Sequence, residues 1–261
     1  MGVLVGVDGS GPSDAALDWA AREAAARGVP LRLLHAVPWP LVDVPIDPRE
    51  TEAWEAGRVL LAEAEAKVTG VEVTGELSTE SAPAALIRQA AGADLVVVGN
   101  RGHGGFAGLL LGSSAQQVAG HAPSPVVLVR AGSARPATDE IIVGLGDGDG
   151  RVQLEAGFAE ASLHGAPLRV LHAASGPTTR EAPRQLLDAL RHAHPGVEAV
   201  TQVVTAPARD ALIEASARAS LVVVGTHDEG GHRHLMALGA VTSALVHHAA
   251  CPVLIARQDG R

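Results

Sequence analysis

The sequence contains one cysteine, Cys251, among its 261 residues. A single cysteine excludes an internal disulfide framework and is typical of proteins from a reducing compartment. Cys251 comes just before a predicted strand, so we expect a buried and unreactive thiol. The chain also lacks a long hydrophobic run near its start, because the apolar segment Gly2–Val7 is too short for a signal peptide or a membrane span. We therefore expect a cytoplasmic protein that makes no membrane contact.

Aromatic residues and positive charge are also scarce. Aromatics make up 2% of the chain, with no tyrosine, against 47% hydrophobic and 19% charged residues overall. This composition indicates a globular protein whose core is filled mainly by valine, leucine, isoleucine and alanine. The formal net charge of −9 disfavours binding to nucleic acid or to an anionic membrane. A chain of this length suits two domains of about 130 residues each.

The two halves of the sequence repeat each other. Four short blocks recur in the same order, which indicates a tandem duplication. The block pairs are Val3–Val7 with Ile141–Leu145, Gly28–Ala36 with Gly165–Ala173, Leu95–Gly99 with Leu221–Gly225, and His121–Arg130 with His248–Arg257. We expect one domain over residues 1–132 and a second over residues 139–258, joined by a short linker.

Each half alternates predicted strands and helices. Short apolar runs predict buried parallel strands, and the stretches between them predict helices, including one from about Ser13 to Arg27 and one from about Arg49 to Val68. This alternation implies an α/β fold with two tandem doubly wound parallel sheets of five strands, helices on both faces and right-handed crossovers. In such sheets a ligand lies beyond the carboxyl ends of the strands, where the strand order reverses.

The most specific signal lies between Asp94 and Arg130. A short apolar strand ending at Gly99 leads into a glycine-rich loop, and a predicted helix opens at Gly112 or Ser113. Successive glycines allow a backbone to approach a polyphosphate and turn its N–H groups toward it. A helix start adds unpaired N–H groups and the positive end of the helix dipole. The alternative is a flexible turn, but the strand before the loop and the helix after it favour a phosphate site.

The spacing Gly99-x2-Gly102-x9-Gly112-Ser113 resembles the nucleotide-binding signature of the universal stress protein family, in its ATP-binding branch. The resemblance covers nearly the whole chain, once per half. It implies the strand order 3-2-1-4-5 in each sheet, which brings Asp8 and Gly99 into one crevice. It also implies ATP as the ligand, accompanied by Mg²⁺.

The resemblance assigns roles to individual residues of the first half. Asp8 is expected at the adenosine part with Gly6 nearby, and Val37 is expected to hydrogen-bond adenine through its backbone. The positions expected around the ribose and phosphates are Gly99, Arg101, Gly102, His103, Gly104, Gly112, Ser113 and Ser114. Two of these assignments have alternatives: Asp8 could instead cap a helix, and Arg101 could be an exposed loop residue without a ligand.

The second half departs from the motif in its glycine loop. Asp228 stands where the second glycine of the first half stands, which places a negative charge at the phosphate position. Fourteen positions separate Gly225 from Gly239, against thirteen between Gly99 and Gly112, which shifts the register of the motif. A carboxylate near a triphosphate in a low-dielectric cleft is strongly repulsive.

Two further differences remove polar groups from the second half. Ala240 takes the place of Ser113, and Gly146 takes the place of Asp8, although the adjacent Asp147 could substitute for that carboxylate. We therefore expect tight nucleotide binding only in the first half. The second half is expected to be a structural partner.

The resemblance also implies self-association through the fifth strands. Val126–Arg130 and Val253–Arg257 could pair within one chain and cover two sheet edges. A homodimer of two chains is a further expectation.

Other interpretations of the same residues have less support. Gly102–Ala107 fits a loose dinucleotide fingerprint, but it follows the fourth strand of its unit and lacks the acidic residue that would hold a ribose. No Walker P-loop and no nucleophile elbow are present. Histidine pairs such as His232 and His234 lack metal-site spacing and cysteine companions, so no metal site is predicted.

The motif therefore predicts a regulatory ATP-binding protein of stress signalling. No group of residues offers a base for an attacking water, so we assign no catalytic residue and expect slow hydrolysis at most. Two alternatives stay open, namely an ATP-consuming enzyme of related fold and an interaction scaffold whose glycine loop is vestigial.

Overall fold

The computed structural model describes residues 1–39, 47–102, 111–132, 138–146, 150–173, 181–226 and 238–257. Two compact units divide the chain, Met1–Gly132 and Ser133–Arg261. Both are α/β units with parallel sheets, which confirms the predicted fold class.

Five strands and four α-helices lie within the described residues of the first unit. In chain order its elements are β1 (Val3–Gly6), α1 (Gly11–Arg27), β2 (Leu31–Ala36), a 3₁₀ turn (Pro48–Glu50), α2 (Glu52–Lys67), β3 (Val73–Ser78), α3 (Ala82–Ala90), β4 (Leu95–Gly99), α4 (Ser113–His121) and β5 (Val126–Val129). The strand order is β3-β2-β1-β4-β5, and every neighbouring pair is parallel. The order reverses at β1, where the carboxyl ends of β1 and β4 lie side by side.

The second unit repeats this architecture in the part of the chain that is described. Its elements are β6 (Ile141–Leu145), α5 (Arg151–His164), β7 (Leu168–Ala173), α6 (Glu181–Ala193), β8 (Ala199–Val204), α7 (Ala208–Ser216), β9 (Leu221–Val224), α8 (Ala240–His248) and β10 (Val253–Ile255). Its strand order is β8-β7-β6-β9-β10, again all parallel. The predicted order is therefore confirmed in both units.

Side-chain caps set the starts of two helices in the first unit, α1 and α2. Ser10 accepts a hydrogen bond from the Ser13 amide, so α1 begins at Gly11, two residues earlier than the sequence predicts. Gly28 ends this helix in the left-handed region, with φ of 65°. The predicted start of α2 near Arg49 is wrong, because Thr51 caps that helix by accepting from the Trp54 amide at 3.2 Å.

The cores are aliphatic, as the scarcity of aromatics predicts. Strands β1, β4 and β5 are buried along almost their whole length. Cys251 is also buried, and this burial raises the pKa of its thiol to about 12, which makes the thiolate rare and the residue unreactive. None of the helices within the described ranges combines the length and hydropathy needed to cross a membrane.

Candidate functional site

A cavity of about 600 Å³ opens at the carboxyl edge of the first sheet. Residues from the ends of β1, β2 and β4 and from the start of α4 line it. The lining includes eight of the residues that the sequence predicts, namely Gly6, Asp8, Gly99, Arg101, Gly102, Gly112, Ser113 and Ser114. This volume is in the range of small-molecule sites, and the position is the one expected at a reversal of strand order.

Among the predicted residues that the structure describes, Val37 is the one that does not line the cavity. Val37 donates its backbone N–H to the Ser78 carbonyl at 2.8 Å, so only its carbonyl is left for a ligand. The two preceding residues of the same segment, His35 and Ala36, do line the cavity. His103 and Gly104 lie outside the described residues.

The turn between β1 and α1 is built around Asp8. Its Oδ1 accepts hydrogen bonds from the Ser10 amide at 3.0 Å and from the Ser10 hydroxyl at 2.6 Å. Its backbone N–H donates to Ser13 Oγ at 3.0 Å. The residue that caps α1 is Ser10, so Asp8 orders the turn before the cap and also presents its carboxylate to the cavity.

Two glycines of the motif lie where a side chain would meet other parts of the protein. A Cβ on Gly99 would lie 2.7 Å from the backbone carbonyl of Pro12, at the first turn of α1, so backbone would have to move. A Cβ on Gly102 would meet the Asp8 side chain at Oδ2. Side chains at either position would collide with the wall of the cavity itself. These glycines therefore allow the β4 end, the α1 start and the Asp8 carboxylate to come together.

Gly112 has a different role from the other two glycines. Its φ of −78° is accessible to any residue, and a Cβ there would meet only ordinary contacts, the nearest being Arg101 Cα at 3.5 Å. Its N–H donates to the Asn100 carbonyl at 2.8 Å, which fixes the start of α4 beside the end of β4.

The first turn of α4 faces the cavity without a side-chain cap. Ser113 and Ser114 are exposed there and add two hydroxyl groups. Helix starts leave backbone N–H groups unpaired and carry a partial positive charge. The arrangement therefore suits an anionic ligand.

A positive side chain lies at this end of the cavity. Arg101 is exposed and lines the cavity. Arg130, directly after β5, is partly buried and is not among the lining residues. Its burial, together with the Arg101 charge, lowers the pKa of its guanidinium.

The second unit keeps the same backbone frame. The Gly239 N–H donates to the Thr226 carbonyl at 2.8 Å, matching the bond from Gly112 to Asn100. The start of α8 therefore has the same hydrogen bond as the start of α4, although one more position separates Gly225 from Gly239 than separates Gly99 from Gly112. Asp147 and Asp228 lie outside the described residues.

The side chains on that frame differ between the units. Ala240, Val241 and Thr242 open α8 where two serines and Ala115 open α4. Thr242 is 5% exposed, and its hydroxyl donates to the Gly225 carbonyl at 2.7 Å. The sequence prediction included only Ala240. Thr242 lies three residues after Gly239, as Ala115 lies three residues after Gly112, so this difference could have been read from the sequence.

The turn before α5 also differs from its counterpart in the first unit. Gly150 precedes this helix with φ of 66°, and no side chain caps it. A Cβ on Gly150 would meet the Leu145 side chain, so this glycine lies against an apolar residue. At position 146 a glycine occupies the place of Asp8.

Known proteins resemble this chain over its full length. The universal stress protein family matches it twice, over residues 1–130 and 138–257. A universal stress protein of Mycolicibacterium smegmatis is 32% identical over 98% of this chain and 97% of its own length. Another, from Mycobacterium tuberculosis, is 32% identical over 99% of this chain and 97% of its own length.

Solved structures share the fold. A universal stress protein from Archaeoglobus fulgidus has a TM-score of 0.78 at 16% identity, covering 99% of this chain and 98% of its own. A protein of the same type from Pseudomonas aeruginosa has a TM-score of 0.68 at 18% identity, covering 98% and 93%. The chain therefore belongs to the universal stress protein family, in a tandem form with two family domains.

Proposed function

We propose that the first unit binds ATP and that the bound nucleotide regulates the protein in a stress response. The observation that carries this proposal is the cavity at the start of α4, where a helix without a side-chain cap, two serine hydroxyls and Arg101 converge. Backbone N–H groups, hydroxyls and a guanidinium are the donors that phosphate oxygens accept from.

The opposite side of the cavity suits the base and the ribose. Leu34 and Val98, near the ends of β2 and β4, and Leu86, in the middle of α3, provide apolar lining. Asp8 lies at the end of β1 and can accept a hydrogen bond from a ribose hydroxyl. The nucleotide would therefore lie across the sheet edge, with adenosine over β1 and β2 and its phosphates at α4.

The residues present also suit a magnesium ion that arrives with the phosphates. Mg²⁺ usually keeps several water ligands and binds through substrate phosphates and few protein carboxylates. Asp8 is the one carboxylate among the described lining residues, and its Oδ1 is already engaged by Ser10. The ion would therefore be held mainly by phosphate oxygens.

The second unit supports a different role. Thr242 fills the place of Ala115 and directs its hydroxyl to a backbone carbonyl. Ala240 and Val241 supply no hydroxyl at the start of α8. We propose that this unit has lost tight nucleotide binding and acts as a structural partner.

Regulation is favoured over turnover because the possible bases among the described lining residues lie at the adenosine end. Of those described residues, Asp8 and His35 can accept a proton, and both lie on the β1 and β2 side. His35 Nδ1 is 2.7 Å from the Val7 carbonyl, an arrangement that holds the ring in place. We expect hydrolysis well below one turnover per second, and faster turnover would favour the enzyme alternative.

The test is to identify what the purified full-length protein carries. Denaturation should release adenine nucleotide that mass spectrometry identifies, and calorimetry on stripped protein should show ATP binding. Finding no adenine nucleotide and no ATP binding would favour the scaffold alternative. Three expectations remain predictions, namely a cytoplasmic location, the pairing of the fifth strands and a homodimer. Size-exclusion chromatography with light scattering tests the homodimer.

A further inference from the structure

We propose that His35 is a positioning residue for the adenosine end of the first-unit cavity, and that its counterpart in the second unit, His172, lacks this role. His35 lies near the end of β2 and lines the cavity, as do Val7 and Asp8 directly after β1. This inference rests on the proposed function, because it concerns how the same cavity holds adenosine. It gives different roles to two histidines that the repeat places at matched positions.

A hydrogen bond from His35 joins the end of β2 to the residues after β1. The Nδ1 atom of His35 is 2.7 Å from the Val7 carbonyl. A carbonyl oxygen can only accept, so Nδ1 must carry a hydrogen and donate it. The Val7 N–H donates to the Leu34 carbonyl at 2.9 Å, which is an ordinary contact between parallel strands. The histidine therefore adds a side-chain bond to this pair of strand ends.

The peptide unit between Val7 and Asp8 is held from both sides. Its carbonyl accepts from His35, on β2, and its N–H donates to Ser13 Oγ, on α1, at 3.0 Å. The His35 ring is itself packed against α2, because a Cβ on Gly57 would lie 3.1 Å from its Cδ2 atom. Two side chains from different elements therefore fix the direction of this peptide and the position of the cavity wall that it forms.

The second unit keeps the histidine without the bond. His172 pairs in register with Leu145, the last residue of β6, which matches His35 beside Val7 in the first unit. His172 is 4% exposed, and its Nδ1 atom has no hydrogen-bond partner among the residues that the structure describes. Buried polar atoms are normally paired, so this difference between two matched side chains is informative. The same side chain in the same register makes the bond only in the unit that carries the complete glycine motif.

The position of the bond gives it a role in binding as well as in packing. Val7 and Asp8 both line the cavity, on the side proposed above for adenosine. A wall that is already held in its binding form does not have to be ordered when the ligand arrives. Without the His35 donor the peptide between the two residues is free to rotate, and the adenosine end loses this fixed surface. The phosphate end is built from the end of β4 and the start of α4, so it should be unaffected.

The experiment measures two affinities on the full-length chain, that of ATP by direct calorimetry and that of adenosine by displacement with ATP. His35→Leu removes the donor and should weaken both ligands about fivefold, the size of one lost hydrogen bond, so that the ratio of the two affinities is unchanged. His35→Asn should keep both affinities within about twofold of the wild type, because its amide N–H can donate from the place of Nδ1. His172→Leu is the matched change in the second unit and should leave both affinities unchanged.

Three results would overturn the inference and leave the proposed function standing. The first is an unchanged affinity for both ligands in a folded His35→Leu variant. The second is a loss for ATP that exceeds the loss for adenosine, which would show a general disturbance that reaches the phosphate end. The third is an equal loss in His172→Leu.

The asparagine variant decides if His35→Leu does not fold. Adenosine affinity close to that of the wild type in His35→Asn would support the role of the donor, and a larger loss than the one stated above would overturn it. A wild-type chain that binds neither ATP nor adenosine would overturn the proposed function and this inference together, so the two failures are distinguishable.

Discussion

The two units of this protein show the same backbone frame carrying different chemistry. In both, the residue before the helix donates its N–H to the carbonyl that follows the preceding strand, at 2.8 Å in each case. The third residue of the helix is Ala115 in the first unit, where it lines the cavity. In the second unit it is Thr242, whose hydroxyl donates a hydrogen bond to the Gly225 carbonyl. Packing therefore maintains the same backbone frame in both units, while a few side chains at the helix start decide whether a ligand can bind.

The largest expected effect on ATP affinity comes from giving the start of α4 the three residues that open α8. The triple variant Ser113→Ala, Ser114→Val and Ala115→Thr should weaken ATP binding at least about a hundredfold, because two hydroxyl donors to charged oxygens are lost. Calorimetry measures the affinity, and Ala240→Ser in the second unit is the matched control that should change nothing. ATP affinity within about threefold of the wild type in the triple variant would contradict the comparison.

Gly99→Ala should show that this glycine is needed for packing as well as for binding. Its Cβ would lie 2.7 Å from the Pro12 carbonyl, so backbone must move, at a cost of about 1–3 kcal/mol in the free energy of unfolding. Denaturant unfolding measures this cost. Gly11→Ala is the control, since nothing lies within 4 Å of its Cβ. Equal stability of both variants would be incompatible with the proposed packing.

Thr242→Val tests the bond that distinguishes the second unit. The substitution keeps the shape of the side chain but leaves the part-buried Gly225 carbonyl without this donor, which should cost about 1–2 kcal/mol of stability. Thr242→Ser retains the hydroxyl and should cost less, as measured by thermal unfolding of the full chain. ATP binding should be unaffected by either change. Equal thermal stability of the valine and serine variants would contradict this role of the hydroxyl group.

Gly112→Ala should have the smallest effect on stability. The φ of −78° and the ordinary contacts around the Cβ allow an alanine, so the free energy of unfolding should change by less than about 0.5 kcal/mol. Chemical denaturation measures this change. A loss as large as that of Gly99→Ala would show that all three motif glycines serve packing.

Much of the fold could be predicted from the sequence, because apolar runs and the internal repeat are local signals. The strand order came from the family resemblance and is confirmed. The start of α2 was missed because it depends on Thr51 acting as a cap after a 3₁₀ turn.

The site was predicted less completely, because its details depend on neighbours distant in sequence. Gly99 packs against Pro12 and Gly102 against Asp8, and neither contact is visible in the glycine spacing. The N–H of Val37 is taken by the neighbouring strand, which residue identity alone does not reveal. Sequence spacing therefore located the corner of the sheet but not the reason for each residue there.

Hydrogen–deuterium exchange with and without saturating ATP is the sharpest test of nucleotide binding by the first unit alone, because it reports on both helix starts in one experiment. We expect slower exchange of the amides at the start of α4, around Ser113, and no change at the start of α8, around Ala240. Protection at α8, or no protection at either helix, would contradict this expectation.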